Sequence, residues 1–269
     1  MVSLVLPRLI GLPAAARRSV SVMERNAAAL KSAYWLVLIS GFLEPVLYLL
    51  SIGVGVGALI GDLTLPTGQV VTYAAFVAPA MLASSAMSGA LAETTFNLFG
   101  KMKYVKLYDG ILATPVQPFE IALGELGWAM LRGAAYSAGF LGVMVAMDLT
   151  TAGRALAAFP AAVLAGFAFG ALGMALSTFM RSWQDFDLMG SAQFTLFLFS
   201  GTFVPAESYP TVLRWLVEVT PLYRAVDLLR GISLGSLGAV QLFDVGYLLA
   251  LTVLGLTVAG RRMGKLLYK

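Results

Sequence analysis

The sequence contains no cysteine and no histidine, and only 12% of its 269 residues are charged. The first absence excludes disulfides and thiolate chemistry, and says nothing of the redox compartment. With histidine also missing, zinc and haem ligation lose their usual donors and general base catalysis its commonest group. A soluble domain carries about a quarter charged residues, so the scarcity of charge is itself informative. What is present instead is apolar: 59% of the chain is hydrophobic, with a mean hydropathy of +0.85. Lipid is the expected solvent for most of it. The net charge of +4 is small. Its basic residues flank apolar runs, which suits anionic headgroups and gives no patch for nucleic acid.

Six apolar stretches are long enough, or nearly so, to cross a bilayer: 35–60, 70–92, 119–147, 155–180, 188–204 and 240–260. A span needs roughly 20 apolar residues, and backbone groups in lipid must be satisfied internally, so these are expected as helices. Period-two segments of the kind a barrel needs are missing. The expected fold class is therefore an all-α polytopic membrane protein, a single domain over 1–269. Lysine and arginine placement orients it. With both termini in the cytoplasm, thirteen of the eighteen basic residues fall inside and four (Arg154, Arg214, Arg224, Arg230) outside, with Arg132 within a span. The expected location is the cytoplasmic membrane.

Before the first span, Val20, Met23, Ala27, Leu30 and Tyr34 share one helical face, with Arg18 and Arg25 off it. Residues 13–33 are expected to form a helix lying in the inner interface. A plain basic flank that only sets topology is the alternative. The segment has no compact apolar core with a cleavage site, unlike a signal peptide.

Little here resembles catalysis. Gly53, Gly55 and Gly57 lack the strand and βαβ setting of a nucleotide fingerprint, and close helix packing explains them better. A phosphate loop of the GxxxxGKS/T form is absent, so the chain is not expected to hydrolyse ATP. Asp185 and Asp187 are the one close acid pair, and two residues apart on a helix they do not face each other. No catalytic residue and no metal site is expected.

Charges within spans are costly and carry a question each. Glu44 precedes Pro45 in the first span. Glu125 and Arg132 lie on one face of the third, two turns apart. Glu93, Glu120 and Asp244 sit at span ends and are expected to reach the interface. Glu44, Glu125 and Arg132 are pathway candidates; structural pairing or snorkelling is the other reading.

Two loops stand out. The cytoplasmic one, 97–115, mixes Lys101, Lys103 and Lys106 with Tyr104, Leu107, Tyr108 and Leu112, and Gly110 and Pro115 are expected to end a short helix. Aromatic and aliphatic knobs on a basic helix suit a docking contact, against the plainer reading of a loop that obeys the topology rule. The outer one, 205–235, reads as two short amphipathic helices divided at Thr220–Pro221. The first starts at Tyr209 and Pro210, with Val212, Leu213, Leu216 and Val217 as its apolar face. The second ends at Gly231, with Arg224–Asp227 and Asp227–Arg230 at i,i+3 spacing. Half-length helices can re-enter a leaflet only where protein or water covers their ends. A surface loop lying flat on the headgroups is the alternative.

Three stretches together, FLEPVLYLLSIGVGVG, KLYDGILATPVQPFEIALGELGW and FSGTFVPAESYPTVLRWLVEVTPLYRAVDLLRG, resemble the permease subunit of type-2 ABC exporters. The likeness covers nearly the whole chain. The nearest subgroup is the nodulation-type lipo-oligosaccharide exporter permeases, with the daunorubicin-resistance type a near relative. The resemblance implies an amphipathic N-terminal helix, six spans, a re-entrant helix pair before the last span (208–219 and 222–230) and a dimer with a second copy or paralogue. It implies a separate ABC ATPase in two copies, holding ATP and Mg. The coupling helix would fall near 101–113, with Lys101, Lys103, Tyr104, Leu107, Tyr108, Asp109 and Leu112 as coupling residues. Tyr209, Arg224, Asp227 and Arg230 become outer-gate candidates. Substrate would pass between the first, second and fifth spans of two protomers. The expected function is export of a lipidated, glycan-containing or amphiphilic molecule, drug efflux included. An ion-coupled secondary transporter using Glu44, Glu125 and Arg132, or a non-transporting scaffold, are the alternatives.

Overall fold

The computed structural model describes residues 14–30, 43, 45–65 and 68–267. Glu44, residues 35–42 of the first expected span, residues 13 and 31–33 of the expected interfacial helix and Tyr34 of its apolar face lie outside the described residues.

Helix α1 covers Ala14–Leu30. Its buried side chains are Ser19, Val22 and Asn26, while Val20, Met23 and Ala27 are half-buried. The protein-facing side is thus rotated from the stripe that periodicity marks. The partner helix chooses it: a Cβ on Gly124 would stand 2.6 Å from Val22 Cβ, so the glycine seats Val22. Helix α2, Pro45–Ile60, is wound as a π-helix over Leu49–Val56. Its glycines do pack, in part. A Cβ on Gly53 would lie 3.4 Å from Ala74 Cα and one on Gly57 3.5 Å from Tyr73 Cβ, whereas Gly55 faces open space. The linker that follows is a small hairpin. Strand β1, Asp62–Thr64, pairs antiparallel with β2, Val70–Thr72, with Leu63 opposite Val71.

Helix α3 runs Tyr73–Lys103, with Thr72 Oγ1 accepting from Ala75 N at its start. The sequence suggests an end at Ala92 because Glu93 reads as an interface residue. Glu93 instead pairs with Arg132, so the helix continues through a π-helical segment, Ala92–Asn97, to Lys103. Lys101 and Lys103 belong to this helix and not to a separate one. The break falls at residues 104–106, where Lys106 takes a left-handed φ of 49°. Helix α4 is Leu107–Leu112. Gly110 lies inside it, so the chain stops at Ala113 and not at the glycine.

Helix α5, Pro118–Ala146, opens with a capping box between Gln117 and Glu120. Helix α6, Ala152–Ser177, is capped by Thr151. Helix α10, Ala239–Leu267, packs along α6. Small residues let these backbones approach, as van der Waals packing in lipid requires. A Cβ on Gly173 would sit 2.9 Å from Leu91 Cδ2, and one on Gly255 2.6 Å from the backbone carbon of Ala171. Among the described residues, helices α3, α5, α6 and α10 are the four long and apolar enough to cross a membrane.

Helix α7, Asp185–Leu198, has 14 residues. It begins earlier than expected because the Asp185 carboxylate accepts from the backbone N–H of Arg181 (2.7 Å) and Ser182 (3.3 Å). It ends earlier because Gly201, at φ +68°, turns the chain. At 1.5 Å per residue it reaches about 21 Å, short of the roughly 30 Å hydrocarbon core. Helices α8, Thr211–Val219, and α9, Pro221–Leu234, follow. Pro210 caps α8, so Tyr209 lies before the helix. Gly231 is interior to α9, whose C-cap is Gly235 at φ +77°.

Candidate functional site

Three polar junctions and one cleft carry the chemistry. At the expected cytoplasmic end, Glu125 of α5 is buried, and its Oε2 accepts from Lys101 Nζ at 2.6 Å and from Asn26 Nδ2 at 3.0 Å. Arg25 donates to Asn26 Oδ1 at 3.0 Å. One acid thereby ties together α1, α3 and α5. Arg18 reaches Glu120 at 3.2 Å and donates to Pro115 O at 2.6 Å, fixing α1 to the turn after α4. Glu120 is buried in this pair and does not snorkel.

The seven expected coupling residues divide. Tyr108 is fully buried, and burial together with nearby Glu125 pushes its phenol well above the usual range. Lys101 points to Glu125. Leu107 and Leu112, at the two ends of α4, are half-buried, while Lys103, Tyr104 and Asp109 are exposed. In so short a helix, spacing does not distinguish inward from outward positions.

Glu125 and Arg132 share a face but not a partner. Arg132 pairs with Glu93 across to α3, and its NH2 donates to Tyr136 Oη at 3.0 Å. Glu93 is therefore no interface residue. Glu93 lies in the π-helical segment Ala92–Asn97, and such turns recur at functional sites.

Above this pair lies a cavity of about 620 Å³ between α2, α3 and α7. Pro45 and Tyr48 of α2, the serines Ser84, Ser85 and Ser88 of α3, Tyr136 of α5, and Phe186 and Gln193 of α7 line it. Gln193 Nε2 donates to Ser88 Oγ at 2.8 Å. None of the described residues lining it is charged. Such a wall offers hydroxyls and amides to a polar head and apolar surface to a chain.

At the other end, Arg224 pairs with Asp244 at 3.2 Å and stacks over Phe243 at 4.9 Å. Asp244 is fully buried and does not reach the interface as expected. Asp227 Oδ2 accepts from Gln241 at 3.1 Å. Arg230 donates to Phe76 O (3.2 Å) and Gly201 O (2.8 Å), with its guanidinium 3.8 Å from the Phe76 ring. The i,i+3 pairs expected within α9 are replaced by contacts to α3, α10 and the turn after α7, because α9 packs as a strut between them. Tyr209 is half-buried. Of the expected apolar face of α8, Val217 alone is buried; Val212, Trp215, Leu216 and Val219 form an exposed stripe.

Among the described residues no group of three or more potential metal ligands stands together. Long apolar helices with charges neutralised at helix junctions define an all-α membrane protein. Residues 20–234 match the ABC-2 type transporter family, and the chain belongs to that family. It is similar to Nodulation protein J of Rhizobium leguminosarum bv. trifolii, at 33% identity over 83% of this chain and 84% of the relative. Nodulation protein J of R. leguminosarum bv. viciae is 31% identical over 88% and 90%, and that of Rhizobium meliloti (strain 1021) 30% over 84% of each.

Proposed function

We propose that this chain is the permease subunit of an ATP-driven exporter. Two copies, or one with a paralogue, join an ABC ATPase that binds ATP and Mg, and the pair moves a lipidated, glycan-containing or amphiphilic molecule outward. The uncharged, hydroxyl-bearing cleft between α2, α3 and α7 is the observation that supports this reading most. A neutral wall suits a cargo whose polar part hydrogen-bonds and whose remainder is apolar. The resemblance to nodulation-type lipo-oligosaccharide exporter permeases makes a lipo-oligosaccharide the first cargo to test. The exposed Lys103, Tyr104 and Asp109 beside α4 form the proposed docking face for the ATPase.

The test is reconstitution of the chain with its ATPase in liposomes. The expected result is ATP-dependent movement of a fluorescent lipo-oligosaccharide and ATP turnover stimulated by it. Movement that persists with hydrolysis blocked and collapses with an uncoupler would refute the proposal in favour of ion coupling. No substrate-dependent turnover across a panel of lipid-linked glycans would point to a scaffold. The pairing of Glu125 with Lys101 and of Arg132 with Glu93 already weighs against a free proton relay through those residues.

A further inference from the structure

Five aromatic side chains meet where α3, the break before α4 and the start of α7 come together. Trp183 is their hub. Its ring stacks on Tyr104 with centroids 5.2 Å apart and planes 22° apart. It lies 4.6 Å from Phe96, 5.2 Å from Phe99 and 5.4 Å from Phe186. Phe99 also touches Tyr104 and Phe186, at 6.0 and 5.3 Å. Trp183 packs on Gly100 as well, where a Cβ would meet it at 3.8 Å.

The position of each ring matters. Tyr104 sits in the break that joins α3 to α4. Phe186 is in the first turn of α7 and lines the cleft. No residue of α7 is buried. Further along, α7 is tied by the Gln193–Ser88 hydrogen bond and by edge contacts of Phe197 with Tyr48 and Phe203. Its lower end is held by the ring cluster. Phe99 is buried and Phe186 half-buried in the cluster, while Phe96, Tyr104 and Trp183 are exposed at its edge. Aromatic rings in mutual contact have two torsions each and pass on a displacement that longer flexible side chains would absorb.

We infer that the Trp183 cluster is the mechanical link that carries movement of the α4 docking segment into α7, and so into the wall of the cleft. Trp183 is a positioning residue: its proposed role is exerted through Tyr104 and Phe186. The inference rests on the docking role proposed for α4, and the experiment separates the two.

The chain has no cysteine, so labels can be placed without background. Nitroxides at Ala113→Cys, just after α4, or at Leu188→Cys on α7 are each paired with a reference at Arg261→Cys on α10. Distances are measured by pulsed electron resonance in the assembled transporter in nanodiscs, before and after trapping with ATP, Mg and vanadate. In the otherwise native chain both labels should move. In Trp183→Ala the Ala113 label should still move and the Leu188 label should not, and Trp183→Phe should restore it. A merely structural residue would alter both or neither. Where Trp183→Ala fails to assemble, Trp183→Leu carries the same expectation. Movement of the Leu188 label in Trp183→Ala equal to that in the native chain overturns the link. An Ala113 label that stays still in the native chain removes the docking role, and the link with it.

Discussion

Glu125 should behave as one unit with Lys101, and a double-mutant cycle measures this. The two charges are 2.6 Å apart, with side chains 6% and 23% exposed. At an effective dielectric of about 20 their attraction is about 6 kcal/mol. Desolvation offsets much of it, at several kcal/mol per ion. What survives is the penalty for leaving one charge alone: Glu125→Leu or Lys101→Met should each destabilise by about 3–5 kcal/mol. Glu125→Leu should fall at the upper end, because it also strips Asn26 of its acceptor. Removing both charges leaves no orphan ion, so the double variant should lose well under the sum, with a coupling of about 2 kcal/mol. The assay is reversible denaturation of the purified chain in mixed micelles, followed by tryptophan fluorescence. Losses that add to within about 0.5 kcal/mol would show independent sites and refute the junction.

Arg224→Ala strands the fully buried Asp244 and should destabilise by about 3–5 kcal/mol, whereas the double variant Arg224→Leu/Asp244→Leu should recover much of that in the same assay. Equal losses in both would sink the pairing argument. Gly255→Val must push α10 away from the Ala171 backbone, so a melting temperature unchanged from the native chain would contradict the close α6–α10 approach. Topology is checked by single cysteines: Leu237→Cys should react with a membrane-impermeant maleimide added to intact cells, and Lys265→Cys only after lysis. The opposite pattern would reverse the orientation.

Helix placement was legible wherever a long apolar run met a clear cap. The third expected span, 119–147, and helix α5, Pro118–Ala146, nearly coincide, because proline and the Gln117–Glu120 box mark the start. Helix α3 runs past the expected end of the second span, Ala92, for an electrostatic reason. Glu93 reads as a terminus only if its partner is unknown, and Arg132 lies 39 positions away in sequence. Long-range pairs are invisible to periodicity, which also explains Asp244 with Arg224 and Arg230 with the carbonyls of Phe76 and Gly201. The rotated face of α1 has the same origin. Local hydropathy favours Val20, Met23 and Ala27, but Gly124 and Glu125 on the partner helix select Val22 and Asn26. The Trp183 cluster is hidden for the same reason, since it joins residues 96–104 to residues 183–186, two stretches far apart in sequence.

The destinations of the ionisable residues bear on cargo. Glu125 and Arg132 look like pathway charges in one dimension, Glu93 and Asp244 like interface residues and Arg224 like a gate residue, and each is held in an ion pair between helices. Charges so paired fix helix against helix, since separating either partner exposes an uncompensated ion. They are spent on the frame and leave the described cleft wall to serines, Tyr136, Gln193 and apolar groups. A strongly charged cargo would find no counter-ion on that wall and would lose its hydration without replacement. An amphiphile bearing neutral hydroxyls would exchange water for Ser84, Ser88 and Gln193 at little cost, while its apolar part lay against Met81 and Phe197. Placing charge on this wall, as in Ser88→Asp, should therefore reduce transport of a neutral glycolipid more than Ser88→Ala does. Equal transport by the two variants would place the cargo elsewhere.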